Sequence, residues 1–248
     1  MCTIVLDVAP DAEVPVVVLH VRDEFVDRAF RAPGKHWPQH PGLVGGQDLQ
    51  AGGTWAAFDV TAGRFAVLTN RTNPAGPVVD PSKPSRGGLP LLVAEAGRDW
   101  TSAIPVADYA PFNLIYADAA GVRSWTWDGS RLQTADVEAG LHMTTAPGID
   151  VGEDERQQWW RPKFEAAPRP APRSDGAGLD WTGWDVLLDE RLPFDDPRAI
   201  LVRREIKQRS HASTAALRAG LTPTGLLGLE YLGDPLQTPR AGRWQALR

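Results

Sequence analysis

The sequence predicts an α+β fold in which helices pack on stacked antiparallel sheets. Three observations point there. β-branched runs come in pairs joined by short turn signals. Helical stretches fall between groups of strands instead of alternating with single strands. Strands outnumber helices along the 248 residues.

Residues 3–8 and 14–21 are β-branched runs separated by Ala9-Pro10-Asp11-Ala12-Glu13, a hairpin signal. Residues 53–60 and 64–70 form a second pair around Thr61-Ala62-Gly63. Residues 89–97 have helical composition, and Pro90 is tolerated only in a first turn. Runs 112–118, 122–127 and 131–137 read as a meander, with Ala119-Ala120-Gly121 and Asp128-Gly129 at the turns. Residues 153–164 are helical in composition, with Pro162 as a break or kink. The Pro-, Arg- and Gly-rich stretch 166–178 is a surface loop, and 181–191 is a short helix. Strands follow at 199–206, 212–219 and 226–232, and an irregular tail fills 233–248. The whole is read as one domain.

A hydrophobic share of 42% suits a chain that buries a full core. A net charge of −5 argues against nucleic acid, whose binders carry a basic face. The longest apolar run, Val14-Pro15-Val16-Val17-Val18-Leu19, suits a strand and falls far short of the roughly 20 residues a membrane span needs. Met1-Cys2-Thr3-Ile4 has neither the basic start nor the apolar core of a secretory signal, so a cytoplasmic protein is expected. Of the ten tryptophans, Trp159, Trp160, Trp181 and Trp184 cluster late, as core or as walls for a flat ligand.

Cys2 is the only cysteine. Removal of Met1 would leave a thiol and an α-amine on one residue. An α-amine near pKa 7.7–8.0 can take the proton of a thiol near 8.5, and amine-activated nucleophiles serve acyl transfer. The other reading is a small buried hydrophobe at a strand start. If the first two strands pair, Arg22 and Asp23 come near Cys2. A guanidinium there favours the thiolate, and a carboxylate could hold the amine.

Lys35-His36-Trp37-Pro38-Gln39-His40-Pro41 places two histidines four apart, but the prolines favour a loop over a helical metal site. No metal site is expected. Gly45-Gly46 and Gly52-Gly53 read as tight turns with open N–H groups, and neither is a phosphate loop. Asn70 ends a strand as an oxyanion donor or a turn cap. Ser85 precedes a helix as N-cap or anion seat. Asn113 opens an apolar strand as structural hydrogen-bonder or substrate contact. Arg209-Ser210-His211 and Ser213-Thr214 make a polar strand head, without a G-x-S-x-G elbow.

Met1-Cys2-Thr3, Arg22-Asp23-Glu24, Gly52-Gly53-Thr54-Trp55, Thr69-Asn70-Arg71, Ser85-Arg86-Gly87 and Phe112-Asn113-Leu114 occur in this order. The series resembles the NRDE family, also called the transport and Golgi organisation protein 2 family. His36-Trp37-Pro38 and Leu141-His142-Met143 resemble features of its bacterial members. One departure stands out: Val21 occupies the place of the Asn in the family's Asn-Arg-Asp-Glu. The resemblance implies a four-layer αββα sandwich like that of the N-terminal nucleophile (Ntn) hydrolases, which include cysteine amidases. It implies Cys2 as nucleophile, Arg22 and Asp23 as its positioning groups and Asn70 as oxyanion donor. Trp55, Arg71, Ser85, Arg86, Asn113 and Arg209 then line the substrate site.

Two functions follow. One is hydrolysis of an amide or thioester of a small acyl substrate by Cys2, with no cofactor. The other is binding and trafficking of haem or another hydrophobic ligand, with Cys2 as an axial thiolate or His20, His36, His40, His142 or His211 in its place. The chain has no C-x-x-C-H haem attachment motif, so such binding would be non-covalent.

Overall fold

The structure is a computed structural model that describes residues 2–71, 83–190, 192–237 and 243–247. Met1, Arg191 and part of the tail lie outside the described residues. The chain opens with β1 (Thr3–Val8), β2 (Val16–Phe25), β3 (Phe30–Gly34), β4 (Leu43–Asp48), β5 (Ala56–Asp59) and β6 (Arg64–Asn70). A 3-10 turn at Arg86–Gly88 leads into helix α1 (Leu89–Ala96). Then come β7 (Phe112–Asp118), β8 (Gly121–Trp127), β9 (Leu132–Val137), β10 (Gly140–Thr145) and β11 (Gly148–Ile149). Helix α2 (Glu155–Ala166), the short β12 (Ala171–Pro172) and β13 (Leu179–Asp180), and helix α3 (Thr182–Asp189) follow. The last strands are β14 (Arg203–Ile206), β15 (Arg209–Thr222), β16 (Gly225–Gly233) and β17 (Gln245–Ala246).

These strands make two large antiparallel sheets. The first runs β11-β10-β1-β2-β15-β16-β17, with β14 also on β15, and the second runs β3 through β9 in chain order. Side-chain alternation along each strand assigns three cores. Ile4, Leu6, Val16 and Val18 of the first sheet meet Phe58, Phe65, Val67 and Ile115 of the second. The other face of the first sheet, with Val5, Val17 and Leu19, packs on Trp160, Phe164 and Trp184 of α2 and α3. The other face of the second sheet, with Ala66, Leu68 and Leu114, packs on Leu89 and Val93 of α1 and on Trp100. Helices therefore cover both outer faces of a stacked sheet pair, an αββα arrangement. Among the described residues no helix is long and apolar enough to cross a membrane.

Several boundaries differ from the sequence reading. β2 does not stop at Val21 but continues through Arg22, Asp23 and Glu24, because β15 supplies a partner along that length. Gly45 and Gly46 lie in β4, not in a turn: a Cβ would meet the Ala56 carbonyl oxygen at 2.3 Å or the Trp55 ring at 2.2 Å. Helix α2 passes through Pro162 without ending. The carbonyl left unbonded is that of Gln158, an exposed residue that water can satisfy. Residues 199–202 lie outside any strand, and β3, β4 and β10 were not anticipated. The tail carries a strand: β17 pairs with β16, and the Trp244 ring lies 3.9 Å from the Arg218 guanidinium. Trp160, Trp181 and Trp184 are packed core residues at 0–2% exposure, while Trp159 is only partly buried, under Lys163 and Arg198.

Candidate active site

β1 and β2 pair with Thr3 opposite Val21 and Ile4 opposite His20. Continuing that register sets Cys2 beside Arg22, and continuing Ile4 opposite Thr144 sets Cys2 beside Ala146. Even-numbered residues of β1 face the second sheet, so Cys2 lies between the sheets at the open end of β1. It is 9% exposed. Its Sγ donates a long hydrogen bond to the Asp23 carbonyl oxygen at 3.9 Å. Burial pushes the thiol pKa up, the Asp23 charge adds to this, and the Arg22 charge opposes it.

Arg22 shares the face of Cys2. Its guanidinium lies 4.6 Å from the Trp55 ring and 4.9 Å from Phe30. Nη1 donates to Thr214 Oγ1 at 2.7 Å. It is 3% exposed, and no carboxylate among the described residues forms an ion pair with it. The nearby acids are engaged elsewhere: Arg28 Nε sits 2.6 Å from Asp48 and 3.8 Å from Glu24. Thr214 is the extra residue of a bulge, where the β15 register steps from Ser213 opposite Asp23 to Ala215 opposite Arg22.

Asp23 follows Arg22 in the same strand, so its side chain falls on the opposite face, under α2. There Ser213 Oγ donates to Oδ1 at 2.6 Å and Arg156 Nη1 donates to Oδ2 at 3.3 Å. Arg156 Nη1 also donates to Thr3 Oγ1 at 2.7 Å. Both members of this ion pair are buried. Asp23 thus meets the Cys2 thiol through its main-chain carbonyl, while its carboxylate anchors α2.

The remaining candidates divide. Asn113 faces the inter-sheet space and ties the sheets together. Its Nδ2 donates to Thr69 Oγ1, Thr145 O and Ala146 O at 3.0–3.2 Å, and Oδ1 accepts from Thr126 Oγ1 at 3.2 Å. Arg71 makes a similar stitch to the Pro147 carbonyl. Asn70 is exposed and shares its face of β6 with Ala66 and Leu68, which pack toward α1; this departs from an oxyanion role facing Cys2. Ser85 Oγ caps the 3-10 turn by accepting from Gly87 N. Arg86 donates to the Pro111 carbonyl at 2.8 Å. Burial lowers the pKa of its guanidinium. Arg209 is on the outer side, paired with Asp27 at 2.6 Å and stacked 3.9 Å over Phe25.

His20 lies in the same inter-sheet layer, fully buried, and no hydrogen bond of normal geometry reaches either ring nitrogen. Burial is the main cause that holds its pKa down to about 4. His36 and His40 turn to separate partners, the Ala32 carbonyl and Glu95. Among the described residues no group of three metal-ligating side chains gathers. Two groups escaped the sequence reading: Arg156, and Thr3 as its acceptor. The signal for Arg156 was present, since it lies four and eight residues before the core residues Trp160 and Phe164. A charged residue on a buried helical stripe requires a buried partner.

Fold and site define an αββα protein whose one cysteine sits between its sheets beside a buried arginine. The chain belongs to the Transport and Golgi organisation 2 family, whose model matches residues 1–160. Val21, where the family motif has Asn, is buried on the helix side of β2, away from the Cys2 thiol. No curated protein matches the chain. Among solved structures, penicillin V acylase from Agrobacterium tumefaciens is similar at 13% identity, over 94% of this chain and 86% of that one, with a TM-score of 0.42.

Proposed function

We propose that the protein is a cysteine hydrolase of the N-terminal nucleophile kind, acting on an amide or thioester of a small acyl substrate. The observation that carries this is Arg22: a buried guanidinium, without a carboxylate partner among the described residues, beside the only thiol in the chain. Burying such a charge is costly unless an anion compensates it, and the Cys2 thiolate or a tetrahedral oxyanion supplies that anion.

In this reading Met1 is removed and the α-amine of Cys2 takes the thiol proton. The sulfur attacks the substrate carbonyl, forming a C–S bond. Arg22 faces the negative charge that develops on the carbonyl oxygen. The Asn113 amide donors are engaged between the sheets, and Arg22 is the charged donor on the Cys2 face that would meet that charge. Collapse breaks the C–N or C–S bond of the substrate, and the α-ammonium returns the proton to the leaving group. Water then cleaves the acyl-cysteine, giving a carboxylate and the free thiol. The haem alternative, with Cys2 or a histidine as ligand, draws less on the late tryptophans, since Trp160, Trp181 and Trp184 are packed in the core.

The test is the intact mass of the purified protein before and after a short pulse of iodoacetamide at neutral pH. Loss of Met1 with rapid single labelling supports the reading. A retained Met1 or an inert thiol refutes it.

A further inference from the structure

A second feature lies on the outer side of the first sheet. A cavity of about 410 Å³ opens between the end of β10, the first turn of α2 and the segment 197–204. Pro147, Val151 and Pro197 give it apolar walls. Two arginines reach it. Arg156 is committed to Asp23 and Thr3. Arg204 is not: its Nε is buried with no hydrogen-bond partner, and no carboxylate among the described residues pairs with it. Its cross-strand neighbour is His211, held near pKa 4 chiefly by burial and therefore neutral at pH 7. A guanidinium nitrogen buried without an acceptor is costly, and an anion arriving in the cavity would satisfy it. At the mouth stand Glu153, Asp154 and Glu155. Asp154 caps α2 by accepting from Gln157 N at 2.9 Å. This acidic rim repels a second negative charge on the same ligand.

We propose that this cavity binds a short apolar monocarboxylate, with its carboxylate on Arg204 and its chain against Pro147, Val151 and Pro197. The cavity lies on the helix side of the first sheet, the face opposite to the Cys2 thiol, and is a site separate from it. The binding itself does not depend on the reading of Cys2 as nucleophile.

The experiment compares hexanoate with its uncharged analogue hexanamide, by calorimetric titration of the wild-type protein and of Arg204→Met. A charge-assisted hydrogen bond predicts hexanoate binding at least about 10-fold tighter than hexanamide, with the preference lost in Arg204→Met while the circular dichroism is unchanged. Hexyl phosphate, a dianion, should bind more weakly than hexanoate. Equal binding of hexanoate and hexanamide to wild type overturns the proposal even if the variant fails to fold, as does hexanoate binding unaffected by Arg204→Met. Iodoacetamide labelling run alongside separates the two readings. An Arg204-dependent hexanoate site on a protein with an inert Cys2 keeps the cavity and refutes the nucleophile. A reactive Cys2 with no carboxylate preference does the reverse.

Discussion

Cys2 sits between two opposed charges that belong to adjacent residues. Arg22 favours the thiolate, and the Asp23 carboxylate disfavours it from the other face of β2. Substitutions at the two positions should therefore move the thiol in opposite directions. Arg22→Met should shift the pH profile of Cys2 alkylation to higher pH, because the charge that stabilises the anion is gone. Asp23→Asn should shift it to lower pH, and stopped-flow alkylation from pH 6 to 10 reads both. An unmoved profile in both variants would show that neither charge is coupled to the thiol. Asp23→Asn has a second consequence. It leaves Arg156 buried opposite a neutral group, and breaking a buried pair costs about 3–5 kcal/mol, measurable by urea unfolding. The pairing of Cys2 with Arg22 was legible in the sequence because a hairpin brings the two strand ends together. The faces were not legible. Whether Asn70 or Asn113 points at the inter-sheet space depends on sheet register and stacking, which single-strand patterns do not encode.

β1, β6 and β7, whose limits are marked by local turn signals, fall where the sequence places them. The misjudged elements are those whose limits are set by a partner distant in the chain. β2 runs past Val21 because β15, nearly two hundred residues away, pairs with it. The glycines at 45, 46 and 53 read as turns in one dimension, yet they are close-approach positions in three. Gly53 shows this best. A Cβ there would sit 2.3 Å from the Gly87 backbone, where the Thr54 amide donates to the Gly87 carbonyl at 2.8 Å. This junction fixes Arg86 on one side and Trp55, with Arg22 over it, on the other. Gly53→Ala should force the two segments apart and cost about 1–3 kcal/mol, or roughly 2–4 °C of melting temperature per kcal/mol in a chain of this size. Gly88→Ala, where a Cβ meets nothing within 4 Å, should leave the melting temperature nearly unchanged. Equal losses in both variants would deny the junction its role.

Across the whole molecule, burial of neutral histidines ties stability to pH. In an unfolded chain histidine titrates near 6.5. In the fold, His20 takes a proton only near 4, chiefly because the ring is buried between the sheets. His211, on the outer side of the first sheet, is held to about 4 as well, again mainly by burial. Between these pH values the unfolded chain binds more protons than the folded one, so stability falls as pH drops from about 6.5 to about 4. Below that range the two states bind the same number at these sites and the loss levels off. For fully buried His20 the loss is on the order of 3 kcal/mol. His142 works with the opposite sign: burial opposes its charge, but the Asp150 carboxylate 2.6 Å from Nδ1 prevails and its pKa is raised. Its contribution is full below about pH 6.5 and fades as pH rises through the raised value, so it softens the acid loss without reversing it. Urea unfolding at pH 7, 6, 5 and 4.5 should show a steady decline in the wild-type protein and a shallower one in His20→Phe, whatever the absolute stability of the variant. Parallel profiles would show that the inter-sheet layer admits a protonated imidazole, and with it water, which would open the Cys2 face to solvent from within the sandwich.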